Sequence, residues 1–255
     1  MTPLLDSHQH LLHCNHFGYA WTKALPALEG KDFTIDAYKA LTKGLNVEGT
    51  IFMEADAGDQ FRDETRLVAK LAGDPQNGIV GIISSCRPET NRGFEPWLDE
   101  ATSLPVVGFR RILHEVDNDV SRTETFRQNV GRIGDRGFVF DMVFRADQLP
   151  IAAELAQECD NTKFVLDHCG VPDVAEGDFA SWRAGLSDVA SLPHVSCKIS
   201  GILAYCAPGA ATIDEIRPYV DHAFEAFGPE RLLWGSDWPV VNLRSSLPEW
   251  ISIFR

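Results

Sequence analysis

The chain has 255 residues, with 23 lysines and arginines against 37 aspartates and glutamates, for a formal net charge of −14. That balance excludes nucleic acid and anionic membrane surfaces as expected partners. No apolar run approaches the ~20 residues of a membrane span, and no basic segment followed by an apolar stretch marks a signal peptide. Six cysteines, none in a C-x-x-C pair, argue for a reduced and cytoplasmic protein rather than a zinc knuckle or redox motif. A small-molecule substrate is expected, and a homo-oligomer is compatible with this composition.

Taken in order, short β-rich runs alternate with helix-like segments. The first strand, expected over 4–10, ends in His8-Gln9-His10. A helix over 34–45 leads to a strand over 49–54 that ends at Glu54. A helix over 60–73 precedes a strand over 78–86, where Ile79-Val80-Gly81-Ile82-Ile83 is apolar on both faces, as a strand buried on both sides requires. A helix over 94–102 precedes the strand 106–113, which carries Arg110 and leads to His114. Then come a helix over 121–135, a strand over 137–144 with Asp141, a helix over 146–160 and a strand over 163–169 with His168. A helix over 178–191 precedes the strand 195–200 with Lys198. A helix over 213–227, closed by Gly228-Pro229, leads to a strand over 232–237 that ends at Asp237. Residues 247–254 can form only a short last helix.

Strand followed by helix, eight times in roughly 250 residues, predicts one domain, residues 1–255, folded as a closed parallel (β/α)8 barrel. A doubly wound open sheet is the competitor, but it ordinarily carries a glycine-rich phosphate loop after the first strand, and no G-x-G-x-x-G or G-x-x-x-x-G-K-[ST] occurs. The G-x-S-x-G, H-E-x-x-H and kinase signatures are missing as well.

In such barrels the chemistry lies at the C-terminal ends of the strands. Here nearly every strand delivers a titratable group to that end, although a buried charge costs several kcal/mol unless paired. Residues two apart on a strand share a face, so His8 and His10 project together, about 7 Å apart at their bases. Closure brings Asp237 beside them. Two or three histidines, His8, His10 and His168, with Asp237 can hold a divalent metal such as zinc. The same aspartate can take a proton from a water attacking a carbonyl. Arg110 and Arg111 face opposite sides; Gly108 shares Arg110's face and leaves room for a ligand, which favours Arg110 as the inward one. Lys198 either reaches the site or lies along the mouth with its amine in water. Glu54 and Asp141 either bind substrate or pair with Arg110 or Arg111. Trp21, with Tyr19, either lines a pocket wall or anchors its loop. His13, Cys14 and His16 are read as loop residues rather than a second metal cluster.

The segments Asp6-Ser7-His8-Gln9-His10, Gly108-Phe109-Arg110-Arg111-Ile112-Leu113-His114, Leu166-Asp167-His168-Cys169-Gly170, Cys197-Lys198-Ile199-Ser200-Gly201 and Trp234-Gly235-Ser236-Asp237-Trp238-Pro239 resemble the amidohydrolase superfamily. The nearest branch is the amidohydrolase-2 type, which includes sugar-acid lactonases and a pyrone-dicarboxylate lactonase. The resemblance implies that His8 and His10 match its strand-one pair, His168 its strand-six histidine and Asp237 the aspartate that activates water, while Arg110 and His114 match positions that bind or polarise substrate. It implies zinc or another divalent cation on His8, His10, His168 and Asp237, in a branch whose members also include some that work without one. The expected reaction is hydrolytic opening of a small lactone of a sugar acid. Asp237, His168 and Arg110 would be catalytic. Glu54, His114, Asp141, Lys198 and Trp21 would bind substrate, with Arg110 and Lys198 steadying an oxyanion or a substrate carboxylate. Amide hydrolysis or decarboxylation of an aromatic acid on the same scaffold is the alternative, and a binding protein without catalysis is a third reading.

Overall fold

The computed structural model of the chain describes residues 2–255. Eight strands form one parallel sheet in sequence order: β1 Leu4–Gln9, β2 Val47–Met53, β3 Ile79–Ser85, β4 Val106–Ile112, β5 Val139–Val143, β6 Lys163–Leu166, β7 Val195–Ile199 and β8 Leu232–Trp234. Each is followed by a helix: α1 Ile35–Thr42, α2 Phe61–Ala72, α3 Phe94–Ala101, α4 Glu124–Asp135, α5 Leu149–Glu158, α6 Phe179–Ala190, α7 Ile213–Phe227 and α8 Leu247–Phe254. The expected (β/α)8 barrel is therefore the fold. Several helices start where a side chain satisfies an orphaned backbone N–H: the Thr34, Thr123, Thr212 and Ser246 hydroxyls accept from the amides three residues on.

Strict alternation separates the two faces of the sheet. In β4 and β5, Phe109 and Phe140 point outward to the helices, where Phe126 of α4 meets Phe140 edge-on. Arg110 and Asp141, paired in register, point inward. Gly108 also points inward, but the space beside it is not for a ligand. A Cβ there would stand 2.4 Å from Val139 Cγ2 and 2.9 Å from Ile83 Cδ1, so neighbouring strands fill it and the glycine serves close packing.

Two strands are shorter than their apolar runs suggest. β6 stops at Leu166 because His168 and Cys169 take φ of 56° and 53°, and the chain beyond β8 reaches φ 54° at Asp237. Left-handed backbone cannot continue a strand. With β8 only three residues long, the barrel is closed largely by the segment that follows it: Asp237 N–H donates to the His8 carbonyl and His10 N–H to the Trp238 carbonyl, both at 2.8 Å.

Asp6 reinforces this seam from inside. Its Oδ1 accepts from the backbone N–H of Ser236 at 2.8 Å and of His8 at 3.1 Å, and its Oδ2 accepts from the Tyr38 hydroxyl at 2.6 Å. All these groups are buried. Asp6→Ala leaves at least two buried donors without an acceptor, at 1–3 kcal/mol each. Urea unfolding is expected to show a loss of about 3 kcal/mol; a loss below about 1 kcal/mol would mean the seam does not depend on Asp6.

Candidate active site

The site is assembled from both ends of the chain. The His8 and His10 rings lie with centroids 4.9 Å apart, and His8 and His168 with centroids 4.6 Å apart. His10 Nε2 is 3.2 Å from His8 Nε2 and 3.3 Å from Asp237 Oδ1, while His8 Nε2 is 3.6 Å from the same oxygen. His8, His168 and Asp237 each offer one ligand atom, all within 4.8 Å of one another. Their backs are held too. His10 Nδ1–H donates to the Met53 carbonyl at 3.0 Å, His168 Nδ1 bonds the Ser200 hydroxyl at 2.9 Å, and His8 Nδ1 stands 3.4 Å from Asp167 Oδ1.

Alternation continued from the inward Val165 would turn Asp167 inward and His168 outward. The left-handed turn at His168 brings its imidazole into the site as well. Such a conformation in a non-glycine residue costs on the order of 1–3 kcal/mol and tends to mark functional positions. Gly201, itself at φ 63°, completes the cradle: a Cβ there would lie 2.4 Å from His168 Nδ1 and 2.9 Å from Asp237 Oδ2.

Burial pushes the His8 pKa well below the usual imidazole range and lowers that of His168. Burial works the other way on Asp237, yet His168, His10 and His8 around it hold its carboxyl below the ordinary carboxylate range. Neutral imidazoles beside an ionised carboxylate are the states that both a metal ligand set and a proton acceptor require. Two nitrogens and an oxygen converging at this spacing, with oriented outer partners, fit a divalent cation such as zinc.

Beneath this cluster runs a network of buried charges. Arg110 Nε donates to Glu54 Oε1 and Nη2 to the Glu54 carbonyl, each at 2.7 Å, and Nη1 reaches Asp167 Oδ2 at 3.4 Å. Lys198 Nζ donates to Asp141 Oδ1 at 3.0 Å and faces Asp167 Oδ1 at 3.2 Å. Burial opposes charge throughout. It is overcome at Glu54 by Arg110 and at Asp167 by Lys198 and His8, which hold both acids below their usual range, whereas Asp141 is pushed up.

A cavity of about 310 Å³ opens above, lined by His10, His168 and Asp237, with Trp21, Arg110, His114 and Tyr205 among its walls. The sequence-based assignment of Glu54, Asp141 and Lys198 to substrate binding needs correction. None of the three lines the cavity, and each is consumed by a buried ion pair. Arg110 does line it. Arg111 points away and pairs with Glu89 at 2.8 Å. Trp21 both lines the wall and anchors its loop, donating from Nε1 to the Ala55 carbonyl at 2.8 Å. His114 stands at the mouth, its pKa lowered to about 4 by burial and by the positive surroundings. His13, Cys14 and His16 lie in the β1–α1 connection, where Cys14 N–H donates to Asp32. Sequence reasoning missed Asp167, although Phe164 and Leu166 as outward residues would have pointed to it, and it missed Tyr205 and Glu64. Glu64, fully buried, accepts from the Ala55 N–H at 3.1 Å and so fixes the wall residue that Trp21 also holds; burial and the nearby Glu54 raise its pKa to about 8.

Residues 5–255 match the model of the family described as Amidohydrolase. An L-fucono-1,5-lactonase from Burkholderia multivorans is 33% identical over 98% of this chain and 86% of its own length. A second L-fucono-1,5-lactonase, from Burkholderia ambifaria, is 25% identical over 95% of this chain and 82% of its own. A crystal structure of a Burkholderia multivorans amidohydrolase with bound zinc superposes with a TM-score of 0.87 at 30% identity, covering 99% of this chain and 90% of that one. With its barrel, its histidine–aspartate cluster and a family match that runs nearly end to end, this chain belongs to the amidohydrolase family.

Proposed function

We propose that this enzyme hydrolyses a small lactone of the sugar-acid type, with Asp237 as the group that accepts the proton of the attacking water. The observation that carries the reading is Asp237 itself: buried beside two of the imidazoles, which hold its carboxyl below the usual range, and facing a cavity at the small end of the usual ligand range of about 300–1,000 Å³. The lactonase names of the two relatives support the substrate class. Six unpaired cysteines suit a reducing, cytoplasmic setting, and the substrate class suits carbohydrate metabolism. No described helix is long and apolar enough to cross a membrane.

The chemistry follows from the residues present. Asp237 draws the proton from water as its oxygen attacks the ring carbonyl. His10 and His168, fixed through their Nδ1 atoms, present Nε2 to the same space. Arg110 turns Nε and one Nη2 hydrogen to Glu54, and Nη1 to Asp167 and, at 3.5 Å, to His8 Nε2, which leaves one Nη2 hydrogen that can meet the carbonyl oxygen as negative charge develops there. One such donor is worth roughly 3–4 kcal/mol when removed. Asp237 then returns the proton to the ring oxygen as the carbon–oxygen bond breaks, and a hydroxy acid leaves. An alkoxide leaves more readily than an amide nitrogen, which favours a lactone over an amide at a site of this kind. His8, His168 and Asp237, with His10 beside them, would hold a divalent cation, which when bound supplies Lewis acidity toward the carbonyl or the water.

Asp237→Asn keeps the shape and removes the proton acceptor. Acid release from a panel of sugar lactones is expected to slow by about a thousandfold; a rate within a few-fold of the parent would remove Asp237 from that role. Zinc binding provides a separate check. In competition with a chelating dye, Ser200→Ala, which frees the back of His168, is expected to weaken zinc by about tenfold, and His168→Ala by more. Unchanged affinity in both variants would place any bound metal elsewhere.

A further inference from the structure

A second cavity of about 610 Å³, roughly twice the reaction cavity, adjoins it at the barrel mouth. The two share His114, Glu115 and Tyr205 as lining residues. From that boundary the second space runs across the connections that follow β5 and β6, past Arg145, Asp173 and Ser181. It therefore lies on the opposite side of the reaction cavity from Trp21 and Ala55. Tyr205 is placed at the junction, its ring 6.4 Å from that of His168, and its hydroxyl has no hydrogen-bond partner among the described residues.

The charges along this path are one-sided. Six carboxylates line the two spaces together: Asp56, Glu115, Asp147, Asp173, Asp178 and Asp237. Among the described residues the only arginines or lysines in the lining are Arg110 and Arg145. Arg110 is held by Glu54 and Asp167, while Arg145 donates from Nε to Asp147 at 3.1 Å and from Nη1 to the His114 carbonyl. Neither offers an uncompensated charge; with Asp147 spent on Arg145 and Asp237 in the histidine cluster, Asp56, Glu115, Asp173 and Asp178 have no arginine or lysine beside them in the lining. A phosphate, sulfonate or carboxylate on the far end of a substrate would meet repulsion with no counter-charge, whereas hydroxyl or ammonium groups would find acceptors.

We propose that the second cavity is a subsite for the distal part of an extended lactone, an aldonolactone that carries a further uncharged or amino-bearing sugar-like unit. The proposal rests on the lactone reading above. It differs from it in the size and charge of the substrate. The lactone ring occupies the reaction cavity against Asp237, and the extension passes Tyr205 and His114 into the acidic space beyond.

The test compares kcat/KM on three probes: a single-ring aldonolactone, the same lactone bearing a glycosyl unit (a disaccharide-derived aldonolactone), and its phosphorylated counterpart. Each is measured with the intact parent chain and with Ser181→Trp. Ser181 is exposed on the first turn of α6 and lines only the second cavity, so the indole fills that space and leaves the reaction cavity open. The glycosyl lactone is expected to lose about tenfold or more in the variant, while the single-ring lactone, which also reports folding, changes less than about twofold. The phosphorylated probe is expected to fall about tenfold or more below the neutral one in the parent. Glycosyl lactone that is not opened by the parent, or is opened equally by both proteins, overturns the subsite while leaving single-ring lactone hydrolysis intact. Equal rates on the phosphorylated probe overturn its charge preference. Failure to open any lactone overturns the reaction on which the subsite rests, and the subsite with it.

Discussion

One carboxylate, Asp167, is the counter-charge on which the polar interior depends. It faces Lys198 Nζ at 3.2 Å, Arg110 Nη1 at 3.4 Å and His8 Nδ1 at 3.4 Å, and none of these groups reaches solvent to any useful extent. Two buried cations without it would each carry a desolvation penalty of several kcal/mol. With it, and with Glu54 and Asp141 on the outer flanks, each buried cation has a carboxylate on either side. The same contact orients His8: with Nδ1 turned to Asp167, Nε2 faces His10 and Asp237. Charge pairing and ligand geometry are thus one arrangement, centred on the ends of β1, β4, β6 and β7.

The second constraint is backbone shape at the strand ends. His168 and Asp237 leave the sheet through left-handed conformations, and Gly201 gives up its side chain so that both can converge. β6 ends just before this begins, whereas beyond β8 single backbone hydrogen bonds to β7 and β1 continue past Asp237. The conformational cost is offset by the seam across β1 and the segment after β8, where Asp6 and four backbone groups lock the barrel shut. A rigid closed sheet can hold such strained positions; a flexible loop could relax them away.

Much of this was readable from the chain. Eight apolar runs ending in polar residues gave the barrel, and closure alone put Asp237 beside His8 although 229 positions separate them in sequence. Alternation correctly paired His8 with His10 and put Arg110 and Arg111 on opposite faces, but it could not say which of the two points inward; Gly108 on Arg110's face favoured Arg110, which is the inward one. What alternation could not deliver was depth. Lys198 and Glu54 sit at strand ends as expected and Asp141 lies midway along β5, but which of several inward charges reach the cavity and which pair with each other below it depends on side-chain length and register between strands. Gly108 misled for a related reason, since its empty side faces Val139 and Ile83 rather than a ligand. The second cavity is built by connections that follow β4 to β7, and such loops carry no periodicity from which a shape could be inferred.

In the proposed reaction water attacks a lactone carbonyl and the ring opens by acyl–oxygen cleavage, with Asp237 moving the proton. Ring opening in 18O-labelled water, followed by mass spectrometry of the hydroxy acid, tests this most directly. The predicted product of a single turnover carries one 18O in its carboxylate and none in the released hydroxyl. Label in the hydroxyl, or no label in an acid formed by the enzyme, would contradict hydrolysis by attack at the carbonyl.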